Sequence, residues 1–363
     1  MSRIPSIEEL AGQVILKEAC GETDGTGGLQ TPHAGIANAA RGDCQRRTRG
    51  LLTPHAGISD ATASIDVSVV TVCFNPFEAG RKEMFQRNLD SVQQQDGVRL
   101  EHLIIDGAST DGTVEWLESY NNTRHDIRFL SRPDNGIYEA MNRGIALARG
   151  KHVIFLNSDD YFHEPSGMAH SIEKIEYYGC DFSFAPVRFS DPSVCHNPQL
   201  APQRRLHRFL ISWSFSHQSM LTSCALLKRL DGFDTAYRSA ADYDLLLRMI
   251  EAGAKGCFVP LAFSTFTLGG FSFAEDNADL IEEECTRSLQ QFYRNLFKVE
   301  MTHDEAAYVI RRRVFPSKYI DLYKQTQQLI RERFVGVPDG PMAHLSRWFN
   351  YYKYYYKCLN ANA

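Results

Sequence analysis

The sequence predicts an α/β fold: a mostly parallel central sheet flanked by helices, with a helical C-terminal tail and a disordered N-terminal extension. Three observations carry that expectation. From Asp66 onward, apolar runs of strand length alternate with segments of helical period, the spacing of βα units. Several of the strand-like runs stop at a turn that begins with or contains a carboxylate. Residues 1–64 hold no Phe, Trp or Tyr, whereas aromatics are plentiful from Phe74 onward.

The composition sets bounds. With 363 residues, 43% hydrophobic and 23% charged, the chain has an ordinary globular make-up. A formal charge of -5 argues against a nucleic-acid partner held through phosphates. Basic runs at Arg204, Arg205, His207, Arg208 and at Arg311, Arg312, Arg313 read as solvated faces, or as contacts for an anionic lipid surface or a phosphorylated acceptor. Nine cysteines with no CxxC pair show neither a disulfide framework nor a zinc spacing, which fits a reducing cytosol. No apolar run approaches the roughly 20 residues of a membrane span, so the expected location is cytoplasmic and any membrane contact peripheral. Asn121, Asn122 and Thr123 form a nominal glycosylation sequon that a cytosolic chain would not present for modification.

Three regions are expected: an extension over 1–64, an α/β domain over 65–272 and a helical region over 273–363. The extension cannot bury enough apolar surface to offset the entropy of ordering it. It carries TPHAGI twice, at Thr31 and Thr53, too few copies for a solenoid; His33 and His55 are weak metal candidates. Residues 67–74, VSVVTVCF, read as a buried parallel strand stopped by Asn75 and Pro76. A helix over about 81–95 follows, with Met84, Phe85, Leu89 and Val92 on one face. HLIID ends a second strand at Asp106, and Asp111 and Thr113 stand where a helix cap would. IRFL at 127–130 is a third strand; a turn through Pro133, Asp134, Asn135 and Gly136 leads into a helix over 137–149. The next strand starts at His152 and runs into Asp159 and Asp160. A helix over 166–178 and a strand over 181–189, DFSFAPVRF, come next, then an irregular acceptor-side loop over 190–215. Residues 259–272 read as a last strand with a glycine-hinged loop, and the chain is helical and polar from about Asp276. It ends WFNYYKYYYK, whose aromatics and lysines either pack on the domain or suit a lipid headgroup layer.

Ligands of open α/β sheets collect outside the carboxyl ends of the strands. Exits at Asp106, Asp134, Asp159 and Asp160 would therefore build a crevice with an acidic rim, fitting a divalent ion and a nucleotide. The plainer reading is a set of acidic turns, since Asn, Ser and Asp favour turns. No GxGxxG follows the first strand and no P-loop occurs, so backbone amides do not supply the phosphate cradle. An aspartyl phosphatase would need a second acid two residues beyond Asp106, where Ala108 stands. His217 and Gln218 interrupt apolar stretches, either as satisfied core residues or near a diphosphate or acceptor. Asp242 and Asp244 open a helix, where either could serve as a cap.

Taken together, several segments resemble the family 2 glycosyltransferases with the GT-A fold, particularly bacterial enzymes of surface polysaccharide assembly. The segments are SVVTVCFN from Ser68, IIDGASTDGT from Ile104, RPDNGIYEAMNRG from Arg132, FLNSDDYF from Phe155, HQSML from His217, FDTAYRSAADYDLLLR from Phe233 and LGGFS from Leu268. The resemblance implies a metal-dependent, inverting enzyme of hexosyltransferase type. It would move sugar from a UDP-, GDP- or dTDP-sugar to a glycan or polyprenyl-linked acceptor. It places Asp106, Asp134 and Asp159 at the donor nucleotide, Asp160 with Asp159 on Mg²⁺ or Mn²⁺, and Asp242 as catalytic base. His217, Gln218, Gly269 and Gly270 would face the acceptor or diphosphate. Two positions depart from the family's pattern: Asn157 stands where the acidic triplet often begins with Asp, and Ala241 replaces the Glu that usually precedes the base. Competing expectations are a nucleotidyltransferase of the same fold and a catalytically silent sugar-binding homologue.

Overall fold

The computed structural model describes residues 64–121, 127–190, 216–268, 277–312 and 314–336. The expectations for the TPHAGI extension with His33 and His55, for Asn122 and Thr123 of the sequon, for the Arg204–Arg208 cluster, for Gly269, Gly270 and Arg313, and for the aromatic tail lie outside the described residues.

The chain builds its sheet from the centre outward. Strand β1 (Val67–Cys73) is buried along its whole length, in keeping with its β-branched and small side chains. Helix α1 (Lys82–Gln93) covers one face with Phe85, Leu89 and Val92, while Met84, expected on that face, is 36% exposed. Strand β2 (Leu100–Asp106) pairs parallel with β1 and aligns Cys73 with Asp106. Helix α2 (Thr113–Asn121), strand β3 (Ile127–Ser131) and helix α3 (Ile137–Leu147) complete the expected βα alternation. Gly144 lets α3 lie close on β1, because a Cβ there would stand 2.4 Å from Val70 Cγ1.

Strand β4 (His152–Phe155) pairs parallel with β1 on its other side. It stops before the acids, and Tyr161–Phe162 forms β5 in a second, smaller sheet. After helix α4 (Gly167–Tyr178), the segment expected as one strand divides into β6 (Phe182–Phe184) and β7 (Val187–Phe189). Pro186 lies at the break; without an N–H it cannot continue an interior ladder, and the chain passes there from one sheet to the other. Strand β8 (Met220–Ser223), helix α5 (Cys224–Arg229), helix α6 (Ala241–Glu251), strand β9 (Gly256–Phe258) and strand β10 (Ser264–Phe266) follow. Helices α7 (Ala278–Phe297), α8 (His303–Arg312) and α9 (Ile320–Arg333) lead into β11 (Phe334–Val335).

The main sheet runs β11, β9, β6, β8, β4, β1, β2, β3, and within it only β8 is antiparallel to its neighbours. The small sheet runs β5, β10, β7. One apolar cluster joins Val70, Leu103 and Phe155 of the sheet with Leu289, Phe292, Tyr293, Val309 and Ile330 of helices α7, α8 and α9. Phe292 is fully buried there, so its truncation to Ala would cost about 3–5 kcal/mol. Among the described residues, no helix is long and apolar enough to cross a membrane.

Candidate active site

The register puts the functional side chains on one rim. Cys73 of β1 aligns with Asp106 of β2, Val70 with Phe155 of β4, and β4 pairs with the reversed β8, whose start lies at the carboxyl end of β4. Residues just before β8 therefore enter the rim from which the parallel strands leave.

At the β1 and β2 exits, Asp106 is buried and fully engaged. Its Oδ2 accepts from the Ser109 N–H (2.9 Å) and the Ser131 hydroxyl (2.7 Å), and its Oδ1 from the Ser109 hydroxyl and the Cys73 thiol. Asp111 accepts from the Phe77 and Glu78 amides (2.6 and 2.9 Å) and from Thr113 through both its N–H and its hydroxyl. It thus caps α2, as expected, and also ties down the loop after β1; these donors hold its carboxyl below the usual range despite partial desolvation. Asp134 accepts from the Gly136 N–H (3.0 Å), yet desolvation raises its carboxyl above the ordinary value, with Glu139 and Asp106 adding to the effect. Gly107 makes the approach possible: a Cβ there would stand 2.9 Å from Asp134 Oδ2 and 3.2 Å from the Phe74 ring. Phe74 is 67% exposed, a large apolar ring at a strand exit.

The motif after β4 is held from below and from the side. Asn88 of α1 donates from one amide nitrogen to the carbonyls of Asn157 (2.8 Å) and Asp160 (2.9 Å). Behind it, the Thr71 hydroxyl donates to Asn88 Oδ1 (3.3 Å) and lies 2.9 Å from His102 Nε2. Burial pushes His102 down to about 3, so the ring is neutral. Asp160 is 1% exposed; its Oδ1 accepts from the Thr267 N–H (2.7 Å) and its Oδ2 from Gln218 Nε2 (2.6 Å). Desolvation first, and the neighbouring Asp159 second, raise the Asp160 carboxyl to about 7. Asp159 faces Arg81 at 3.2 Å, and its carbonyl accepts from the Thr267 hydroxyl. Burial raises its carboxyl as well, against the opposing charge of Arg81.

His217 and Gln218 lie in a single 3₁₀ turn before β8. His217 Nδ1 stands 3.6 Å from Asp242 Oδ2, and the neighbouring Gln218 donates to Asp160 Oδ2 at 2.6 Å. Asp242 lies in the first turn of α6, where its Oδ1 accepts the Tyr243 N–H (2.9 Å). Asp244 instead pairs with Arg248 at 2.7 Å, which settles the partner of that arginine. Asp159, Asp160, His217, Gln218 and Asp242 thus form one connected line; Asp106 and Asp134 form a second group beside Phe74. Sequence reasoning missed Phe74, Arg81, Asn88 and Thr267. Asn88 left a signal, a polar residue on the apolar face of α1.

Among the described residues, no three His, Cys, Asp or Glu side chains converge as a self-sufficient metal cage. A hard divalent ion completed by substrate phosphates needs only one or two carboxylates. Asp159 and Asp160 supply such oxygens, and Asn157 Oδ1 is a further buried oxygen without a hydrogen-bond partner. Both Asp160 oxygens already accept hydrogen bonds, so Asp159 presents the less committed carboxylate. The donor set fits the ion.

A mostly parallel sheet with one reversed strand and acids gathered at its carboxyl rim is the GT-A fold that the sequence resemblance implies, and solved structures share it. The chain belongs to glycosyl transferase family 2, whose family profile matches residues 68–229. An uncharacterised glycosyltransferase of Mycobacterium tuberculosis is 30% identical over 203 residues, covering 52% of this chain and 70% of that one. Chondroitin synthase of Pasteurella multocida is 29% identical over 171 residues, 46% of this chain but only 18% of the synthase. The fold is similar to that of a Pyrobaculum calidifontis mannosyltransferase solved with GDP-Man and Mn²⁺, with a TM-score of 0.50, 16% identity, and 89% and 84% of the two chains covered.

Proposed function

We propose that this glycosyltransferase moves a sugar from a nucleotide-diphosphate donor to a hydroxyl of a glycan or lipid-linked acceptor, with inversion, in surface polysaccharide biosynthesis. The observation that carries the reading is the link between two acid groups through the His217–Gln218 turn: Gln218 donates to Asp160 at 2.6 Å, and His217 stands 3.6 Å from Asp242. Asp242 has a side chain 20% exposed, and its Oδ2 meets His217 only at 3.6 Å, so that oxygen is open to a proton. As general base it takes the acceptor hydroxyl proton while the oxygen forms its bond to the anomeric carbon. The bond from that carbon to the diphosphate oxygen breaks, and the diphosphate leaves with the electron pair. A single displacement of this kind inverts the anomeric centre.

Phe74 offers its exposed ring to the base of the nucleotide, and Asp134 a polar edge beside it. Asp106 shapes that pocket from beneath, since its oxygens are engaged internally. Asp159, with Asp160 behind it, would hold Mg²⁺ or Mn²⁺, in keeping with the Mn²⁺ bound by the mannosyltransferase of similar fold. When bound, the ion neutralises charge developing on the diphosphate. Gln218 and His217 orient the acid loop toward the acceptor side.

The test is release of nucleoside diphosphate from a panel of UDP-, GDP- and dTDP-sugars with Mn²⁺, with and without a lipid-linked glycan extract. Turnover stimulated by the extract supports the transferase. Turnover that requires pyrophosphate identifies a nucleotidyltransferase instead, and absence of turnover with every donor leaves a silent homologue.

A further inference from the structure

Helix α6 begins without a side-chain cap of its own, although Asp242 and Asp244 lie in its first turn. The missing acceptor comes from α7. Glu284, 4% exposed, accepts the Arg238 N–H at 2.6 Å through one oxygen and the Ser239 and Ala240 N–H groups at 2.9 and 2.8 Å through the other. Three consecutive amides aimed at one carboxylate form an anion nest, here filled from within the chain. The same face of α7 grips the preceding residue: Ser288 donates to the Tyr237 hydroxyl (2.9 Å), and the Arg287 guanidinium lies 4.1 Å from the centre of the Tyr237 ring. Spacings of three and four residues put Glu284, Arg287 and Ser288 on one stripe.

We propose that Glu284 is a positioning residue for the transfer reaction: it fixes residues 238–240 and thereby the first turn of α6, on which Asp242 is aimed at the acceptor. The inference rests on the reading of Asp242 as base. Ala240 immediately precedes α6 and Asp242 is its second residue, so the nest sets the origin of the backbone that carries the base. Left unfilled, the three donors, those of Ser239 and Ala240 buried, would recruit water or rotate away, and the carboxylate of Asp242 would move with them. Displacement of a reacting group by about 1 Å costs on the order of 100-fold in rate. Ala241, where the family usually has Glu, supplies no such support from within α6. Glu284 brings a carboxylate to the same turn from another helix.

The experiment uses the full chain and compares Glu284→Ala, Glu284→Gln and Asp242→Asn. Hydrogen exchange reports the amides of residues 238–240 directly. Nucleoside diphosphate release from UDP-GlcNAc and GDP-Man with Mn²⁺ reports turnover, and titration with the same donors reports binding. Glu284→Ala is expected to speed exchange at 238–240 and to lower kcat by about 100-fold with donor affinity unchanged. Glu284→Gln, which keeps one acceptor oxygen, is expected to recover most of both. Parent-like exchange at 238–240 in Glu284→Ala overturns the proposal, as does a loss of donor affinity that parallels the loss of kcat. If Asp242→Asn turns over at the parent rate, the base reading falls and the positioning role of Glu284 falls with it, and the exchange result then reports only whether Glu284 holds residues 238–240. If Asp242→Asn is inactive and Glu284→Ala is normal, the base stands and Glu284 does not position it. Where neither sugar nucleotide turns over, the exchange measurement alone decides.

Discussion

Replacing Asn88 by Ala tests how the acid loop is held. The change removes the amide that donates to the Asn157 and Asp160 carbonyls at 2.8 and 2.9 Å and the oxygen that accepts from Thr71. Asn88 is fully buried; its bond to the Asp160 carbonyl is buried with it, while that to the half-buried Asn157 is partly exposed. An orphaned buried polar group costs about 1–3 kcal/mol and a lost hydrogen bond at a partly exposed group about 0.5–1.5, so the loss is roughly 2–4 kcal/mol. At about 2–4 °C per kcal/mol for a chain of this size, Tm should fall by roughly 5–15 °C. Donor affinity should fall too, because Asp159 and Asp160 sit on the turn that Asn88 closes. Asn88→Asp is the sharper variant, placing a carboxylate oxygen against two carbonyls where an amide N–H₂ group stood. Thr71→Val is the control: it spares both carbonyl bonds and should cost about 1 kcal/mol. Thermal melting followed by fluorescence, with and without donor and Mn²⁺, measures all three. A Tm for Asn88→Ala within about 2 °C of the parent, with unchanged donor affinity, would refute the reasoning.

Further outcomes are expected elsewhere in the site. Asp242→Asn should cut transfer by about 10²–10⁴-fold while donor titration stays near the parent curve; transfer at the parent rate would remove the base assignment. Asp159→Ala should weaken donor binding in Mn²⁺ more than in EDTA, and an equal loss in both would remove the metal role. Asp160→Ala should weaken Mn²⁺-dependent donor binding as well, and also lower Tm because the Thr267 and Gln218 donors lose their acceptor. Gly107→Ala forces Asp134 or Phe74 aside and should reduce nucleotide affinity with little change in Tm; wild-type affinity would show that neither side chain lines the donor pocket. His102 is held neutral, its value lowered from 6.5 to about 3, so its contribution to stability is complete above pH 6.5 and is lost as pH falls from there toward 3. Urea midpoints at pH 7.5 and pH 5 should therefore differ more for the parent than for His102→Gln, by up to about 1.4 kcal/mol per pH unit below 6.5. Parallel pH curves for the two proteins would contradict this.

Strand β1 is legible in the sequence because a strand covered on both faces carries a long apolar run; β2 and β3 show as the shorter runs LII and FL between turns. Their exits are legible because Asp106 and Asp134 stand where those runs give way to turns. The acids after β4 are equally visible, but β4 itself ends at Phe155, and no pattern in HVIFLNSDDYF marks the passage from one sheet to the other. The short strands β9 and β11 have too few residues for any period to show. Pro186 did carry the information that DFSFAPVRF is two strands. The supporting contacts are another matter. Thr267 reaches Asp160, Asn88 reaches Asn157, Arg81 reaches Asp159 and Glu284 reaches Ala240 across long stretches of sequence. Only the fold brings such partners together, and each looks like an ordinary loop or helix residue by itself.

Strand β11 bears on how the molecule is made. Phe334 pairs with Gly256 and Val335 with Cys257, at one border of the main sheet. During synthesis, β9 is finished long before those partners leave the ribosome, and its outer backbone groups remain unpaired in the meantime. Nascent chains are therefore most prone to stick to one another along that border. Clones shortened to end before Phe334 should be lost chiefly to aggregation, even though every acid of the rim is still encoded.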